Sequence, residues 1–475
     1  MREQVQLIAY ADRLGGSLPA LARLLRGPLA GLFGGVHVLP FFLPFDGADA
    51  GFDPVDHLAV DPRLGSWADV RELGTEVDVV ADLIVNHVSD RSAPFRDVVE
   101  LGDRSPHAGM FLTYERVFPA GATETDLLRI VRPRPGLPFT PVVLGSRPRL
   151  TWTTFTSRQI DLDVHHRATR RYLSAVLQRL AAAGVTMVRL DAVGYTVKTA
   201  GTSCFLTPET HAFIADLAAE ARALGLEALA EVHAPHRYAV DTAAHVDRIY
   251  DFVLCPLVLH AVLTGDGRPL GDWLVGRPAN TVTVLDTHDG LGMIDAAGQD
   301  GYDGLLTPAQ IEALVNLISR NSGGTSRASR VNGGAGGIYQ VSCTAYDAVG
   351  RDDRRHILAR LLQLFAPGIP QVYYVGLLAG AAEPALVART GDAREINRRS
   401  YTEAELDEEL RRPVVQELTR LIRLRATHPA FHGRFALLDA PDGVLAMEWR
   451  AGAARAGLRA DLGDGSYWLD LTPTV

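Results

Sequence analysis

Three acidic residues each follow an apolar stretch that is typical of a buried β-strand. They are Asp191 in VTMVRLDAVGY, Glu231 in EALAEVHAP and Asp289 in TVTVLDTHDG. In barrel enzymes the C-terminal ends of the strands form the catalytic face, so these carboxyl groups are predicted to meet there. Retaining transfer of a sugar needs a carboxylate nucleophile, an acid that protonates the leaving oxygen, and negative charge beside an oxocarbenium-like transition state. Three acids on three strands can supply all three functions.

The neighbours of these acids suggest a role for each. Arg189 and Asp191 are two residues apart on one strand, so their side chains share a face. We expect the guanidinium to favour the ionised form of Asp191, as a nucleophile requires. Glu231 is surrounded by apolar residues, which predicts a raised pKa and a general acid that later acts as a base. Asp289 follows His288, and both are predicted to contact sugar hydroxyls.

The elements that must position these residues form a regular series. Near-continuous apolar runs indicate parallel strands that are buried on both faces. The eight runs are Gln4–Ala9, Gly35–Leu39, Asp78–Val85, Thr186–Leu190, Glu227–Val232, Arg248–Leu254, Thr281–Leu285 and Gln371–Val375. Helical patterns lie between several of them, including one that begins with Thr207 as N-cap and Pro208 at the first helical position. The series predicts an α/β fold, a (β/α)8 TIM barrel; the alternative is a doubly wound open sheet.

Two connections between strands are too long for simple loops. Residues 88–165 follow the third strand, and residues 291–351 follow the seventh. Both segments are predicted to be inserted subdomains that form the sides of the catalytic face. The barrel itself is then assigned to residues 1–87, 166–290 and 352–434. Short apolar runs from Phe435 onward predict a small C-terminal β domain over residues 435–475.

Composition narrows the classes of partner. The formal net charge of −9 makes nucleic acid and anionic membranes poor partners. Three cysteines without framework spacing indicate free thiols in a reducing compartment. The N-terminal residues lack the apolar core of a signal peptide, and the most apolar stretch, Leu29–Phe45, is interrupted by His37 and two prolines. We therefore predict a cytoplasmic protein.

Four short motifs resemble those of the α-amylase superfamily, glycoside hydrolase family 13. They occur in the family order as DLIVNH (82–87), RLDAV (189–193), EVH (231–233) and THD (287–289). The resemblance implies that Asp191 is the nucleophile, Glu231 the acid/base and Asp289 the stabiliser of the transition state. It implies neither a metal nor another cofactor.

Further motifs resemble the sucrose phosphorylases within that superfamily. They include DAGFDPVDH (49–57), RPRPGLPFT (132–140), GTSCF (201–205), IYQV (338–341) and REINRRSY (394–401). By this resemblance the glucosyl group is held by Asp49, Phe52, His87, Arg189, His288 and Arg398, with Phe155 near the cationic centre. The acceptor side, where phosphate or fructose binds, is formed by Arg134, Tyr195, His233, Tyr339 and Gln340. The implied partners are small molecules, namely sucrose, phosphate, glucose 1-phosphate and fructose, and the protein is also predicted to form a homodimer.

One segment departs from the pattern of these phosphorylases. They usually carry an acid that contacts fructose shortly before IYQV, whereas this chain has Gly337 there, after further glycines at 333, 334 and 336. The acceptor therefore stays open. Sucrose phosphorolysis is the expected reaction, and the alternatives are a phosphorylase acting on sucrose 6-phosphate or a glucosyl-glycerol compound, a retaining α-glucosidase that uses water, and a non-catalytic sugar-binding barrel.

Overall fold

Eight parallel strands close into a barrel in the computed structural model, which describes residues 2–46, 50–298, 301–330 and 337–472. The barrel strands are β1 (Gln6–Ala9), β2 (Gly35–Val38), β3 (Asp78–Ile84), β4 (Met187–Asp191), β5 (Glu227–Ala230), β6 (Arg248–Asp251), β7 (Thr281–Thr283) and β8 (Ile369–Tyr373). Each strand pairs with the next along the chain, and β8 pairs with β1. Every predicted run overlaps one of these strands, so the barrel is confirmed and the open sheet is excluded.

The register of the central strands sets the height of the functional residues. Arg189 on β4 pairs with Asp82 on β3 and with Leu229 on β5. Leu190 pairs with Ala230, the last residue of β5, so Glu231 emerges at the level of Asp191. Adjacent parallel strands thus deliver an arginine and three carboxylates to one region.

Helices cover the outside of the barrel. They are α1 (Leu18–Arg26), α2 (Trp67–Glu76), α3 (Arg167–Ala182), α4 (Pro208–Ala223), α5 (His236–Ala243), α6 (Leu254–Thr264), α7 (Arg268–Gly276), α8 (Asp353–Phe365) and α9 (Pro413–Thr427). Their starts follow capping chemistry: the predicted N-cap Thr207 accepts a hydrogen bond from the Thr210 amide, with Pro208 in the first turn. At α2, Ser66 and Asp69 form a capping box.

The insertion after β3 has small apolar cores of its own. One contains Phe95, Phe111 and Ile160, and another contains Phe118 and Trp152. Its main elements are the strands His87–Ser89, Phe139–Leu144, Arg147–Trp152 and Gln159–Asp161 and the helices Ala93–Leu101, Tyr114–Val117 and Glu124–Arg129. The strand His87–Ser89 pairs with Gln159–Asp161, which ties the end of the insertion to its beginning.

The insertion after β7 contributes a helix, Pro308–Asn321, and a three-stranded sheet. The strands of that sheet are Leu291–Gly292, Arg327–Arg330 and Ile338–Ser342. Gly337 precedes the last of these strands, whereas the glycines at 333, 334 and 336 lie outside the described residues.

A four-stranded antiparallel sheet ends the chain. Its strands are β9 (Arg434–Leu438), β10 (Val444–Ala451), β11 (Ala454–Asp461) and β12 (Tyr467–Leu471), in that spatial order. Met447, Trp449 and Leu458 belong to the same hydrophobic core as the barrel. No helix among the described residues is long and apolar enough to cross a membrane. The three cysteines are buried, unpaired thiols.

Candidate active site

The three acids singled out from the sequence lie around one cavity of about 380 Å³. Asp191 is the last residue of β4, and Glu231 follows β5 directly. Asp289 lies in the loop after β7, because that strand ends at Thr283 while the chain continues buried through Val284 and Leu285. The structure therefore brings carboxyl groups from three parts of the barrel into one wall.

A single guanidinium joins two of these acids. The side chain of Arg189 is only 3% exposed; its Nη1 lies 2.9 Å from Asp191 Oδ1, and its Nη2 lies 2.6 Å from Glu231 Oε1. Nη1 also donates to the fully buried carboxylate of Asp82. The sequence predicted the contact with Asp191 but not the two others. Glu231 Oε2 in addition accepts a hydrogen bond of 3.0 Å from the Ala192 amide.

The pKa of Asp191 is set by opposing influences. Burial raises its pKa well above the ordinary value and the carboxylate of Glu231 raises it further, against the opposing effect of Arg189. Arg189 favours the ionised form of Asp191, as the sequence predicted, but its effect on the pKa is outweighed by burial and by the carboxylate of Glu231.

Asp289 has the opposite electrostatic environment. Burial favours its neutral form, but the guanidinium groups of Arg394 and Arg398 outweigh burial and lower the pKa of Asp289 far below its ordinary value. Nη1 of Arg394 lies 3.0 Å from Asp289 Oδ1, and Nη2 of Arg398 lies 3.9 Å from the same oxygen. Asp289 is thus a fixed negative charge in the neutral pH range.

Aromatic rings line the side of the cavity that was assigned to the glucosyl group. Phe52 and His288 stack with centroids 4.8 Å apart, and burial lowers the pKa of His288 to about 3, so its ring is neutral. His87 donates from Nε2 to the carbonyl of Phe52 at 2.8 Å. Phe155 contacts the His87 ring at 5.3 Å and the Tyr195 ring at 5.4 Å.

The residues assigned to the acceptor side line the same cavity. They are Arg134, Tyr195, His233, Tyr339 and Gln340. His233 stacks on Phe252 and approaches Tyr339, with ring centroids 3.8 and 5.9 Å away. Its Nδ1 lies 3.4 Å from Asp295 Oδ2. Gln340 donates from Nε2 to the backbone carbonyl of Asp289 at 2.8 Å, so its amide is held against the loop that carries that acid.

Two of the predicted site residues that the structure describes do not line the cavity. Arg189 and Arg398 lie beneath it, and Arg398 is fully buried, donating from Nε to the carbonyl of His288 at 3.1 Å. From there it supports His288 and Asp289. Asp49 lies outside the described residues.

Sequence reasoning missed three residues that the fold brings to the site. Arg394 lines the cavity and pairs with Asp289; it belongs to the quoted motif REINRRSY, from which only Arg398 was chosen. Arg327 lines the cavity from the insertion after β7. Asp295 is buried behind His233. No sequence signal marks Arg327 or Asp295, because both contacts depend on how that insertion folds back.

Glu231, His233 and Asp289 also place one ligand atom each within 4.8 Å of one another, a spacing that a metal ion can use. Arg189 already pairs with Glu231 and Arg394 with Asp289. A cation there competes with two fixed guanidinium groups, so the local charge favours hydrogen bonding and proton transfer over metal binding.

Comparison with known proteins places the chain in a family. Residues 33–234 match the family described as alpha amylase, catalytic domain. The chain is 52% identical to sucrose phosphorylase from Agrobacterium vitis over 472 residues, which is 98% of this chain and 96% of that relative. It is 48% identical to sucrose phosphorylase from Bifidobacterium adolescentis over 466 residues, 96% of this chain and 92% of that relative. The chain belongs to the sucrose phosphorylase family, within the α-amylase superfamily.

Solved structures agree with membership of the sucrose phosphorylase family. The crystal structure of sucrose 6F-phosphate phosphorylase from Thermoanaerobacter thermosaccharolyticum superposes with a TM-score of 0.94 at 35% identity, covering 100% of this chain and 97% of that chain. The match spans the barrel, both insertions and the C-terminal sheet.

Proposed function

We propose that this protein is a sucrose phosphorylase, which converts sucrose and phosphate reversibly into α-D-glucose 1-phosphate and D-fructose with retention of configuration. The main observation behind this proposal is that Asp191 and Glu231 at the cavity both form ion pairs with the guanidinium of Arg189. Two carboxyl groups that bind one guanidinium lie near each other, and retaining enzymes use a pair of neighbouring carboxyl groups about 5–5.5 Å apart.

In the first half of the reaction, Asp191 attacks the anomeric carbon of the glucosyl group. The bond from that carbon to the fructosyl oxygen breaks, and Glu231 donates its proton to this oxygen, so fructose leaves as a neutral alcohol. The reaction needs one proton on the Asp191–Glu231 pair, which matches the raised pKa of Asp191. The retaining mechanism requires that Asp191 is the carboxylate in the sucrose complex and that Glu231 carries the proton.

In the second half, phosphate attacks the glucosyl–Asp191 ester from the side that fructose vacated. The ester bond breaks, Asp191 is released as a carboxylate, and Glu231 takes the proton of the attacking phosphate hydroxyl. Two inversions at the same carbon restore the α configuration. Each half passes through an oxocarbenium-like transition state, and the ionised Asp289 supplies negative charge beside it.

Charge on the acceptor side supports phosphate as the second substrate. Arg134 and Arg327 line the cavity, and among the described residues neither forms an ion pair with a carboxylate. Arg327 donates only to backbone carbonyls, including that of Gly324 at 2.8 Å. Arginine is suited to bidentate binding of phosphate. A plain α-glucosidase, which transfers the sugar to water, does not need these two cations.

Gly337 supports a second candidate, a phosphorylase with a bulkier or anionic ketose in place of fructose. The residue is exposed, and a Cβ added there meets no atom of the described residues within 4 Å. The position where relatives of this kind carry an acid is therefore open and uncharged.

The decisive experiment is incubation with sucrose in the presence and absence of phosphate. We expect glucose 1-phosphate and fructose in equimolar amounts with phosphate, and slow release of free glucose without it. Release of free glucose at a rate that does not respond to phosphate contradicts the proposal and identifies a glucosidase. Sucrose 6-phosphate is assayed in parallel. A kcat/KM for sucrose 6-phosphate above that for sucrose favours the second candidate.

The division into a barrel, two inserted subdomains and a C-terminal β domain at the boundaries given above is part of this proposal. So are the cytoplasmic location and the homodimer. Light scattering after size exclusion tests the homodimer, since a mass near twice 51.3 kDa is expected.

A further inference from the structure

Lys198 is the only lysine among the 47 lysine and arginine residues of the chain. It lies between the short 3-10 turn Val193–Tyr195 and α4, and its side chain is only 1% exposed. The other 46 of these residues are arginine, so the single side-chain ammonium group of the protein lies at a buried position. The contacts of that group indicate why.

The ammonium of Lys198 meets three oxygen atoms from three separate segments. Nζ lies 2.6 Å from Asp161 Oδ2 and donates to Asn86 Oδ1 at 2.7 Å. It also donates to the backbone carbonyl of Tyr195. Asn86 follows β3, Tyr195 follows β4, and Asp161 ends the last strand of the insertion after β3.

Each of these oxygens is connected to a segment that carries an aromatic ring of the cavity wall. Asn86 precedes His87, and Tyr195 is itself in the wall. Asp161 accepts hydrogen bonds from the amide of Thr154 at 3.0 Å and from its hydroxyl at 2.5 Å, and Thr154 precedes Phe155. The ring of Phe155 contacts the rings of His87 and Tyr195, and the segments that carry these three rings are linked to the ammonium of Lys198 through Asn86, Asp161 and the Tyr195 carbonyl.

Only lysine satisfies three acceptors that converge on one atom. An ammonium carries three N–H donors on one nitrogen, whereas a guanidinium spreads five over a planar fork. With an arginine, the acceptors would have to move apart into one plane, and the segments that carry His87, Phe155 and Tyr195 would move with them.

We propose that Lys198 is a positioning residue for glucosyl transfer, which fixes the wall formed by His87, Phe155 and Tyr195 against the reacting sugar. This inference rests on the proposed function, because it assigns that wall to the sugar site. Lys198 does not touch the substrate. It acts through the three backbone segments that it ties together.

The test separates positioning from simple stabilisation by charge. Lys198→Met keeps the length of the side chain but leaves Asp161 buried without its cation, so the melting temperature is expected to fall. The double variant Lys198→Met/Asp161→Asn removes both charges, and its melting temperature is expected to recover most of that loss. Activity is measured with α-glucosyl fluoride, whose turnover reports glucosyl transfer whatever the natural acceptor.

We expect kcat of the double variant to stay about 100-fold below wild type, since displacement of positioning groups by about 1 Å has effects of this size. KM should change much less. A folded double variant with wild-type kcat overturns the proposal, because it shows that only the charge balance mattered. Turnover of α-glucosyl fluoride and of sucrose by the wild type is measured in the same experiment. If the wild type does not turn over sucrose, the proposed function fails, whatever the variants show.

Two further variants sharpen the test. Lys198→Arg keeps the charge and should remain impaired; recovery of kcat in it contradicts the requirement for three donors on one nitrogen. Arg425→Met is the matched control: Arg425 is buried and donates to the carbonyls of Leu364 and Gly368 at 2.8 and 3.0 Å, away from the cavity. It should lower the melting temperature and leave kcat unchanged.

Discussion

Arg189 faces three carboxylates, and two of them belong to the residues that exchange a proton and a glucosyl group in the proposed reaction. A buried cation of this kind is retained because removing one partner of a buried ion pair costs about 3–5 kcal/mol. The single positive charge of Arg189 does not balance the three carboxyl groups around it. Arg189 is shared among three acids, and burial together with the carboxylate of Glu231 raises the pKa of Asp191 despite this cation.

The first prediction concerns that pair. Asp191→Asn should lower kcat by at least about 10⁴-fold while the protein stays folded, since the variant loses its nucleophile but relieves a surplus of negative charge. Glu231→Gln should be severely impaired with sucrose and much less so with α-glucosyl fluoride, because fluoride leaves without a proton. Steady-state kinetics with both donors checks this. Equal losses with both donors would remove Glu231 from the acid role.

The second prediction concerns the two arginines without acidic partners. Arg134→Ala should raise KM for phosphate about 10- to 100-fold and shift the product toward free glucose, because a charge-assisted hydrogen bond to the anion is lost. Arg327→Ala should act in the same direction. Arg158→Ala is the control, since Arg158 pairs with Asp90 outside this cavity. Unchanged phosphate kinetics in Arg134→Ala would exclude that residue from the acceptor site.

The third prediction concerns His233. Burial favours its neutral form, but Asp295, with Glu231 and Asp289, outweighs burial and raises the pKa of His233 above 6.5. The imidazolium is therefore present below that raised pKa and is lost as pH rises through it, so KM for phosphate should increase there. The pair with Asp295 likewise stabilises the fold below the unfolded pKa, and this stabilisation is lost over the same rise.

Asp295→Asn tests this assignment. It lowers the pKa of His233, so the increase in KM for phosphate should begin at a lower pH than in wild type. The ratio of the two KM values across pH cancels the titration of phosphate itself. If the two profiles have the same shape, His233 does not hold phosphate by charge.

At the scale of secondary-structure elements, the barrel strands could be predicted from sequence because both of their faces are buried, which leaves a continuous apolar run. The side-chain partners could not be predicted in the same way. The contact of Arg189 with Glu231 depends on the register between β4 and β5. The pairing of Asp289 with Arg394 joins the loop after β7 to the turn Ala393–Asn397, and only the closed barrel makes them neighbours.

The fourth prediction concerns the loop that enters the strand Ile338–Ser342. Gly337→Asp should be accommodated, because an added Cβ meets no atom within 4 Å in the part of the chain that the structure describes. The new carboxylate should raise the preference for sucrose over sucrose 6-phosphate about tenfold, since it can accept hydrogen bonds from fructose and repels the phosphoryl group. The measurement is kcat/KM for both substrates.

Gly276→Asp is the control for that loop, because it adds the same charge at an exposed position outside the cavity and also meets nothing within 4 Å. A wild-type protein that already strongly prefers sucrose, together with no change in Gly337→Asp, would show that the glycine does not set the acceptor.

At the scale of the whole molecule, the C-terminal sheet shares its core with the barrel. Trp449 on β10 is 6% exposed and donates from Nε1 to the carbonyl of Phe365 at the end of α8 at 2.8 Å. Its ring contacts those of Phe431 and Phe435. The sheet is therefore a structural support at a distance from the cavity.

The fifth prediction follows from that packing. Trp449→Ala should destabilise the protein by about 3–5 kcal/mol, as for other large buried aromatics, and leave kcat of the folded enzyme unchanged. Trp468→Ala on β12 is the control; this ring is 58% exposed, and its removal should cost less than about 0.5 kcal/mol. Urea denaturation compares the two variants. A large loss of kcat in folded Trp449→Ala would mean that the sheet acts on the active site.

The burial of Lys198 has a practical side as well. Because it is the only lysine of the sequence and is 1% exposed, reagents that acylate amines find no accessible side-chain target. Aldehyde- or ester-activated supports can then hold this protein only through its terminal α-amino group, and amine cross-linkers cannot join subunits through side chains. Attachment at several points has to use carboxyl groups, of which the chain has 56 on Asp and Glu.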